Sequence, residues 1–99
     1  MGHNLIEAMI DIERSYGLAP KVSVRPERFG GLVYRYDNRA LYFLHSRPLV
    51  DFLLELDGTQ PLGVALHEFA EDRGLGMEDR RNLENALGQL KKKGVLHEL

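Results

Sequence analysis

The stretch GLVYRYDNRALYFL, residues 31–44, has the pattern of a β-hairpin. Two runs of β-branched, aromatic and apolar residues flank Asp37 and Asn38, which tolerate the positive φ that a two-residue hairpin turn requires. We therefore predict two antiparallel strands joined at this turn. The resulting register pairs Tyr36 with Arg39, Tyr34 with Leu41 and Leu32 with Phe43.

This register assigns each side chain to one of two sheet faces, because successive side chains of a strand alternate. We expect the more apolar face to be the core side. A longer turn would slip the register and change the faces. The expected core face carries Leu32, Tyr34, Tyr36, Leu41 and Phe43, and the opposite face carries Val33, Arg35, Ala40, Tyr42 and Leu44.

A further strand precedes the hairpin. In PKVSVRP, residues 20–26, valines alternate with polar side chains, and Pro26 ends the strand because proline cannot donate to a ladder. The three strands would form an antiparallel meander whose edges are the first and third strands. Basic residues and Pro26 protect the first edge, whereas the third strand, residues 40–44, leaves its backbone donors available.

The third strand offers an edge to which an extended peptide could add as a fourth strand. Backbone hydrogen bonds would then supply affinity, and flanking pockets would select side chains. Two alternatives stay open from these residues alone. A helix or the N-terminal segment covers the edge, or two copies of the chain pair edge to edge.

Helical periodicity predicts one helix before the sheet, over residues 4–16. Asn4 and Glu7 have the spacing of a capping box, and Gly17 follows as the residue that closes the helix. We treat residues 1–17 as an N-terminal amphipathic extension of the domain. A structural homodimer through this helix is one possible role for it.

Three helices are predicted after the sheet. Ser46 and Thr59 have the residue type and position of N-caps for the first two, and the last runs over about residues 77–93. Residues 18–99 therefore form an α+β domain in which a three-stranded antiparallel sheet is followed by three helices. This arrangement resembles a winged helix with its sheet placed first.

The composition argues against several classes of function. The 99 residues include no cysteine, and the four histidines are scattered without metal-ligand spacing, so we expect no metal site and no cofactor. No motif for a nucleophile, a phosphate loop or an acid–base pair is present, so we expect no catalysis. No membrane span or signal peptide is visible, and a cytoplasmic location is the default expectation.

The charge is unevenly distributed, although the chain carries only −2 overall. Residues 20–48 sum to +4 and residues 49–76 to −5. A basic region of this kind could attract nucleic acid or an acidic peptide. The competing interpretation is a DNA-binding winged helix that uses residues 77–93 for recognition, but the acidic residues of that helix argue against phosphate contacts.

Two motifs resemble a known family. The first, V-x-x-R-P-E-x-F-G-x-L-x-Y, spans residues 22–34, and the second, R-x-L-x-F-L-x-S, spans residues 39–46. Both are similar to the peptide chaperones of mycofactocin biosynthesis, which belong to the PqqD-like recognition elements for ribosomally made, modified peptides. The resemblance is specific over residues 18–56 and does not cover the N-terminal helix.

The resemblance implies a non-enzymatic peptide chaperone. Such a protein binds the leader of a precursor peptide by β-strand addition and presents it to a radical S-adenosylmethionine maturase, which carries the iron–sulfur chemistry. An acidic leader would suit the basic sheet. By the same resemblance, the peptide-binding residues are Arg39, Ala40, Leu41, Tyr42, Phe43, Leu44 and His45 on the strand, and Arg80, Leu83, Glu84, Leu87, Leu90 and Lys91 on the last helix.

Overall fold

The structure is a computed structural model that describes residues 10–99. It confirms the α+β class and the three-stranded antiparallel sheet followed by three helices. The likeness to a winged helix and to PqqD-type domains stays a prediction. The elements, in chain order, are β1 (Tyr16–Leu18), β2 (Val22–Glu27), β3 (Gly30–Arg35), β4 (Leu41–Leu44), α1 (Arg47–Glu55), α2 (Leu62–Arg73), α3 (Met77–Lys92) and β5 (Leu96–Glu98).

The predicted hairpin register is confirmed within the ladder of β3 and β4. Tyr34 lies opposite Leu41, and Leu32 lies opposite Phe43. The turn differs from the prediction. The residue with a positive φ is Arg39, at 60°, and neither Asp37 nor Asn38, the two predicted turn residues, has a positive φ. Residues 36–39 form a four-residue loop, closed where the amide of Arg35 donates to the carbonyl of Ala40 at 2.9 Å.

The predicted core face of the sheet is wrong. Val33 is completely buried, whereas Tyr36 and Phe43 are each 58% exposed and Leu41 is 48% exposed. The reason lies in β2, where Val24 is paired with Val33 and therefore shares its face. The helices cover this valine face, and the aromatic face of the hairpin points to solvent.

A glycine sets the distance between the sheet and α1. A Cβ added at Gly31 would lie 2.7 Å from Cγ2 of Val50 and 2.9 Å from the carbonyl oxygen of Arg25. Both distances are shorter than carbon and oxygen atoms tolerate, so a larger residue would push the helix away from the strand.

We expect Gly31→Ala to lower the free energy of unfolding by roughly 1–3 kcal/mol, the usual cost of overpacking. Urea denaturation measures this loss. Gly17→Ala is the matched control, because an added Cβ there would lie 3.4 Å from Cδ1 of Leu99, an ordinary contact with a terminal side chain. Equal stability of the two variants would contradict the prediction.

The helix starts were predicted correctly in one case and wrongly in another. Ser46 caps α1, and its hydroxyl oxygen accepts from the amide of Leu49 at 3.2 Å. Thr59 does not cap α2; it donates instead to the carboxylate of Asp57. The N-cap position of α2 is Pro61, whose ring carries no hydrogen-bonding group.

The first turn of α2 is satisfied by backbone from the N-terminal segment. The amide of Leu62 donates to the carbonyl of Arg14, and the amide of Gly63 donates to the carbonyl of Ile12, both at 2.8 Å. The first amides of a helix have no partner within the helix and need such acceptors. A distant stretch of chain therefore replaces the expected side-chain cap.

The predicted N-terminal helix is wrong over residues 10–16, and its first part, with the homodimer contact assigned to it, lies outside the described residues. Instead, β1 begins at Tyr16 and pairs antiparallel with β5, with Leu18 opposite Leu96. The carbonyls that accept from α2 could not do so from inside a helix. The predicted boundary between residues 17 and 18 stays a prediction, although Tyr16 is fully buried in the common core.

The core lies between the valine face of the sheet and the three helices. Phe52 and Phe69 pack edge to face at its centre, with ring centroids 5.2 Å apart. No helix within residues 10–99 is long and apolar enough to cross a membrane. The fully or nearly buried side chains of this core are Tyr16, Val33, Leu49, Phe52, Leu53, Leu62, Leu66, Phe69, Leu83, Leu87, Leu90, Val95 and Leu96.

Candidate functional site

The outer edge of β4 is open within the described part of the chain. The three-stranded sheet has the order β2–β3–β4, so β4 pairs only with β3. Arg35 and Ala40 are directly opposite and hydrogen-bonded, and such pairs alternate along an antiparallel ladder. The backbone N–H and C=O groups of Leu41 and Phe43 therefore point away from β3, toward the open side.

The edge formed by β2 is less suited to accept another strand. The amide of Tyr36 donates to the carbonyl of Lys21 at 2.8 Å, so these two residues form a hydrogen-bonded pair. Hydrogen-bonded and non-hydrogen-bonded pairs alternate from there along the ladder of β2 and β3. By that alternation, Pro26 occupies one of the positions whose backbone nitrogen faces outward, and proline has no hydrogen to donate. The two edges of the sheet therefore differ, and β4 is the better template.

A cleft of about 290 Å³ lies next to the end of β4. It separates the first turn of α1 from one side of α3. Its floor is largely apolar, and Asp79 and Asn82 supply polar groups on the helix side. The lining residues are Ser46, Pro48, Leu49, Leu75, Asp79, Asn82, Leu83 and Ala86.

The predicted helix wall coincides with this cleft at only one residue. Leu83 lines the cleft, whereas Leu87 and Leu90 are buried in the core. Sequence reasoning missed Asp79, Asn82 and Ala86, which also line the cleft. Together with Leu83 they are spaced three and four residues apart along α3, and this spacing indicates that they share one side of the helix.

The charged members of the predicted helix wall lie on another side of α3. Arg80 forms an ion pair with Glu84 at 3.6 Å, and its guanidinium also donates to the carbonyl of Gly63 in α2. The Nζ atom of Lys91 lies 5.7 Å from the centroid of the Tyr16 ring, next to β1. The structure therefore does not bring these three side chains to the cleft.

The predicted strand wall is divided between the two faces of the sheet. Tyr42 and Leu44 pack on the core side, whereas Leu41 and Phe43 point to the opposite side. Arg39 and Ala40 belong to the connection that leads into β4. The exposed ring of His45 lies 5.4 Å from that of Phe29.

Arg35 fastens the end of α3 to the sheet. Its Nη1 donates to the carbonyl of Lys93 at 2.8 Å, and Nε and Nη2 donate to the carboxylate of Asp37 at 3.1 and 2.7 Å. A cation at a helix C-terminus also complements the helix dipole. The Nζ atom of Lys93 then lies 5.6 Å from the centroid of Tyr42, so α3 and β4 stay close together.

The same ion pair determines the pKa shifts in this region. Hydrogen bonds from Arg35 lower the pKa of Asp37, and the pairing raises the pKa of Arg35. A carboxylate with a lowered pKa contributes stability above its ordinary pKa and loses it only as the pH falls through the lowered value. The attachment of α3 to the sheet is therefore fully formed at neutral pH.

The open edge of β4 and the adjacent cleft offer hydrogen-bonding groups and apolar surface side by side. Within residues 10–99, no group of three or more His, Cys, Asp or Glu side chains could hold a metal ion. The region offers an outward-facing row of backbone donors and acceptors beside an apolar cleft. Those two features together match the requirements of an extended peptide, whose backbone needs partners and whose alternate side chains need pockets.

Comparison with known proteins places the chain in a family. The model of the peptide chaperone MftB family matches residues 15–97. The chain therefore belongs to the peptide chaperone MftB family, which confirms the resemblance to the chaperones of the mycofactocin system.

One curated relative is the peptide chaperone MftB of Mycobacterium tuberculosis (strain ATCC 25618 / H37Rv). The chain is 35% identical to it over 69 residues, which cover 70% of this chain and 58% of that protein. The aligned part thus represents less than two thirds of the relative's length. A comparison with the solved structures gave no significant match.

Proposed function

We propose that this chain is a non-enzymatic chaperone that binds the leader of a ribosomally made, mycofactocin-type precursor peptide by adding it as a strand to β4. It then presents the precursor to a radical S-adenosylmethionine maturase. Membership of the peptide chaperone family supports the general role. The observation that carries the binding mode is the open edge of β4, where the backbone groups of Leu41 and Phe43 face outward beside the cleft.

The pleat of the added strand decides where the leader's side chains go. A strand bound to β4 would lie about 4.8 Å from it, and its side chains would alternate between the two faces of the sheet. Those opposite Tyr42 and Leu44 would point toward the core side, where the cleft opens. We therefore expect the leader to carry apolar residues at alternate positions, of a size that fits between Leu49 and Ala86.

Charge favours an acidic leader. Arg39 stands at the start of β4, and Lys93 lies over the ring of Tyr42 on the core side. Carboxylates of a leader segment beside the first half of β4 would meet these cations. The polar side chain of Asn82 would satisfy a backbone or amide group of the leader at the cleft. The binding role of Arg80, Glu84 and Lys91 stays a prediction.

The free energy of binding must exceed the cost of ordering a flexible peptide, which is roughly 2–5 kcal/mol in coupled folding and binding. Each intermolecular backbone hydrogen bond contributes about 0.5–1.5 kcal/mol net. The short edge therefore cannot supply strong affinity by hydrogen bonds alone, and burial of apolar side chains in the cleft has to supply the rest. Once bound, the leader brings its substrate segment to the maturase at a raised local concentration.

The cleft provides the experiment that tests this function. We expect Ala86→Arg to weaken binding of the precursor leader by about tenfold or more, because the arginine side chain would fill the space that a leader side chain enters. Isothermal titration calorimetry with the leader peptide measures the affinity. Ala86 is only partly buried, so the fold should persist, and circular dichroism checks it.

Val64→Arg is the matched control for this experiment. Val64 is 42% exposed and lies on α2, outside the cleft, so the same substitution there should leave leader affinity unchanged. A well-folded Ala86→Arg variant that binds the leader as tightly as the unaltered chain would remove the cleft from the binding site.

The DNA-binding alternative gains no support from α3. The guanidinium of Arg80, which would have to contact phosphate, already pairs with Glu84 and with the backbone of α2. Glu78 and Asp79 lie in the first turn of the same helix and would repel the phosphates.

A further inference from the structure

The outer face of the three-stranded sheet is an exposed aromatic surface. We define it by its large apolar side chains: Phe29, Leu32, Tyr34, Tyr36, Leu41 and Phe43. Tyr36 and Phe43 are each 58% exposed, and Phe29 is 43% exposed. Contiguous apolar surface of this kind on a small protein commonly marks an interaction site.

This face also contains a depression that could receive a partner's side chain. A cleft of about 310 Å³ lies over β2 and β3, and Ser23, Arg25, Leu32, Tyr34, Tyr36 and Leu41 line it. Tyrosine and arginine around a pocket are the residue types that dominate the binding energy of protein interfaces. The hydroxyl of Tyr36 lies 3.3 Å from that of Ser23, and its ring packs edge to face on Tyr34, so the pocket wall is already ordered.

A leader strand on β4 would leave most of this face uncovered. Side chains of adjacent strands make direct contact across about 5 Å, so an added strand would reach Leu41 and Phe43. Tyr34 lies on the next strand, roughly 10 Å from the leader, and Arg25 lies one strand further. The pocket over β2 and β3 would therefore stay accessible to a second partner while the leader is bound.

Charge indicates the chemistry of such a partner. Residues 21–45, which form the sheet and its turns, carry a balance of three positive charges on a chain whose net charge is −2. Five cations (Lys21, Arg25, Arg28, Arg35 and Arg39) stand against two carboxylates, Glu27 and Asp37, which pair with Arg25 and Arg35. A partner that matches this balance must offer carboxylates around an apolar centre. A second copy of this chain would present the same cations and be repelled.

The ring geometry argues against nucleic acid as the occupant. Base stacking needs open ring faces, but the rings of Tyr34 and Tyr36 meet at 78° and those of Phe29 and Phe43 at 47°. The rings thus contact one another in place of forming a row of parallel platforms. A protein surface, which fills irregular pockets with side chains, fits this geometry better.

We propose that the outer face of the sheet docks an acidic, apolar-centred surface of the maturase that receives the leader. The inference rests on the proposed function, and it assigns the outer face of the sheet as the surface on which this chain binds the maturase. The leader would occupy the edge of β4 and the cleft beneath it, while the enzyme covers the opposite face. The shared residues Leu41 and Phe43 place the two occupants side by side, so that the leader is delivered at the enzyme's own contact surface.

The test measures two affinities for each variant, one for the purified maturase and one for the leader peptide. We expect Tyr36→Asp and Arg25→Glu each to weaken maturase binding by about tenfold or more and to leave leader affinity within about twofold. Maturase binding to the unaltered chain should weaken as salt is raised, because the cations of the sheet and its turns are largely exposed.

Matched controls come from other surfaces. Leu54 is 49% exposed on α1, so Leu54→Asp repeats the apolar-to-acid change away from the outer face. Arg81→Glu repeats the charge reversal at an exposed position of α3. Both should bind the maturase and the leader as the unaltered chain does. Ala86→Arg completes the set, because it should weaken leader binding and preserve maturase binding.

Several outcomes would overturn the inference. Maturase affinity unchanged in both folded outer-face variants is one, and absence of maturase binding by the unaltered chain is another. An equal loss of leader affinity would assign the face to the leader, and binding of a fluorescent oligothymidine that depends on Tyr36 would assign it to nucleic acid. If the leader does not bind the unaltered chain, the proposed function fails, whereas maturase binding lost in Tyr36→Asp still supports docking on this face.

Discussion

Phe43→Pro weakens leader binding by about tenfold to a hundredfold more than Phe43→Ala does, if the leader adds to β4 as a strand. Proline removes the outward-facing N–H of residue 43 and leaves a buried carbonyl of the leader without a donor, which costs roughly 1–3 kcal/mol. Alanine removes the same ring but keeps the N–H. The difference between the two variants therefore isolates the backbone hydrogen bond from the side-chain contact.

The position of Phe43 makes this comparison practicable. The alternation of the ladder directs its N–H away from β3, so proline there leaves the existing sheet bonds intact. Its ring is 58% exposed and is not part of the core.

Tyr42→Pro is the contrasting variant. The N–H of Tyr42 bonds to β3, so the loss of that N–H should unfold the sheet. Calorimetry with the leader, preceded by thermal denaturation of each variant, measures both effects. Equal leader affinities of Phe43→Pro and Phe43→Ala would exclude strand addition at this edge.

Tyr16→Ala lowers the free energy of unfolding by about 3–5 kcal/mol, the range for removal of a buried aromatic ring. Tyr16 is completely buried and belongs to the main core cluster. It also lies in β1, which pairs with β5 and so joins both ends of the described chain. A cavity at this position would loosen the contact of β1 with the helices as well as the local packing.

Tyr16→Phe separates the ring from its hydroxyl. The amide of Asp11 donates to that hydroxyl at 3.1 Å, and removing this bond should cost only about 0.5–1.5 kcal/mol, since the amide can turn to water. Urea denaturation of the three proteins gives both values. A loss below about 1 kcal/mol for the alanine variant would show that the ring is not a structural centre of the fold.

The sequence predicted the local features of the fold better than those that depend on distant contacts. The β3–β4 register followed from alternation and the position of the turn, and the cap at Ser46 followed from its own neighbours. The buried face did not, because the hairpin carries apolar residues on both sides. The choice between the faces depends on Val24 in β2 and on the close approach of α1 at Gly31.

Long-range backbone contacts explain the remaining errors of the fold prediction. Helical spacing over residues 4–16 concealed the strand that begins at Tyr16, whose partner β5 lies at the opposite end of the chain. The same segment supplies the acceptors for α2, so Thr59 was not needed as a cap. No local sequence pattern indicates backbone contacts between such distant segments.

The candidate site was predicted in part. Resemblance and alternation located the strand edge at β4. Of the α3 residues named by the resemblance, only Leu83 lines the cleft, and the binding role of the others stays a prediction. Arg80 and Lys91 share a helix stripe, but that stripe packs near α2 and β1. Small residues such as Ala86 are less conspicuous in a sequence than charged ones, although a cleft needs them.

The lack of a donor at Pro26 has a consequence for stoichiometry. A protein that captures strands at one edge risks polymerising, because β4 of one molecule could pair with β2 of the next and leave a fresh edge at each end. Pro26 makes that contact one hydrogen bond weaker. Sheet growth is thereby biased to a single side, which favours a discrete one-to-one complex over an open-ended filament.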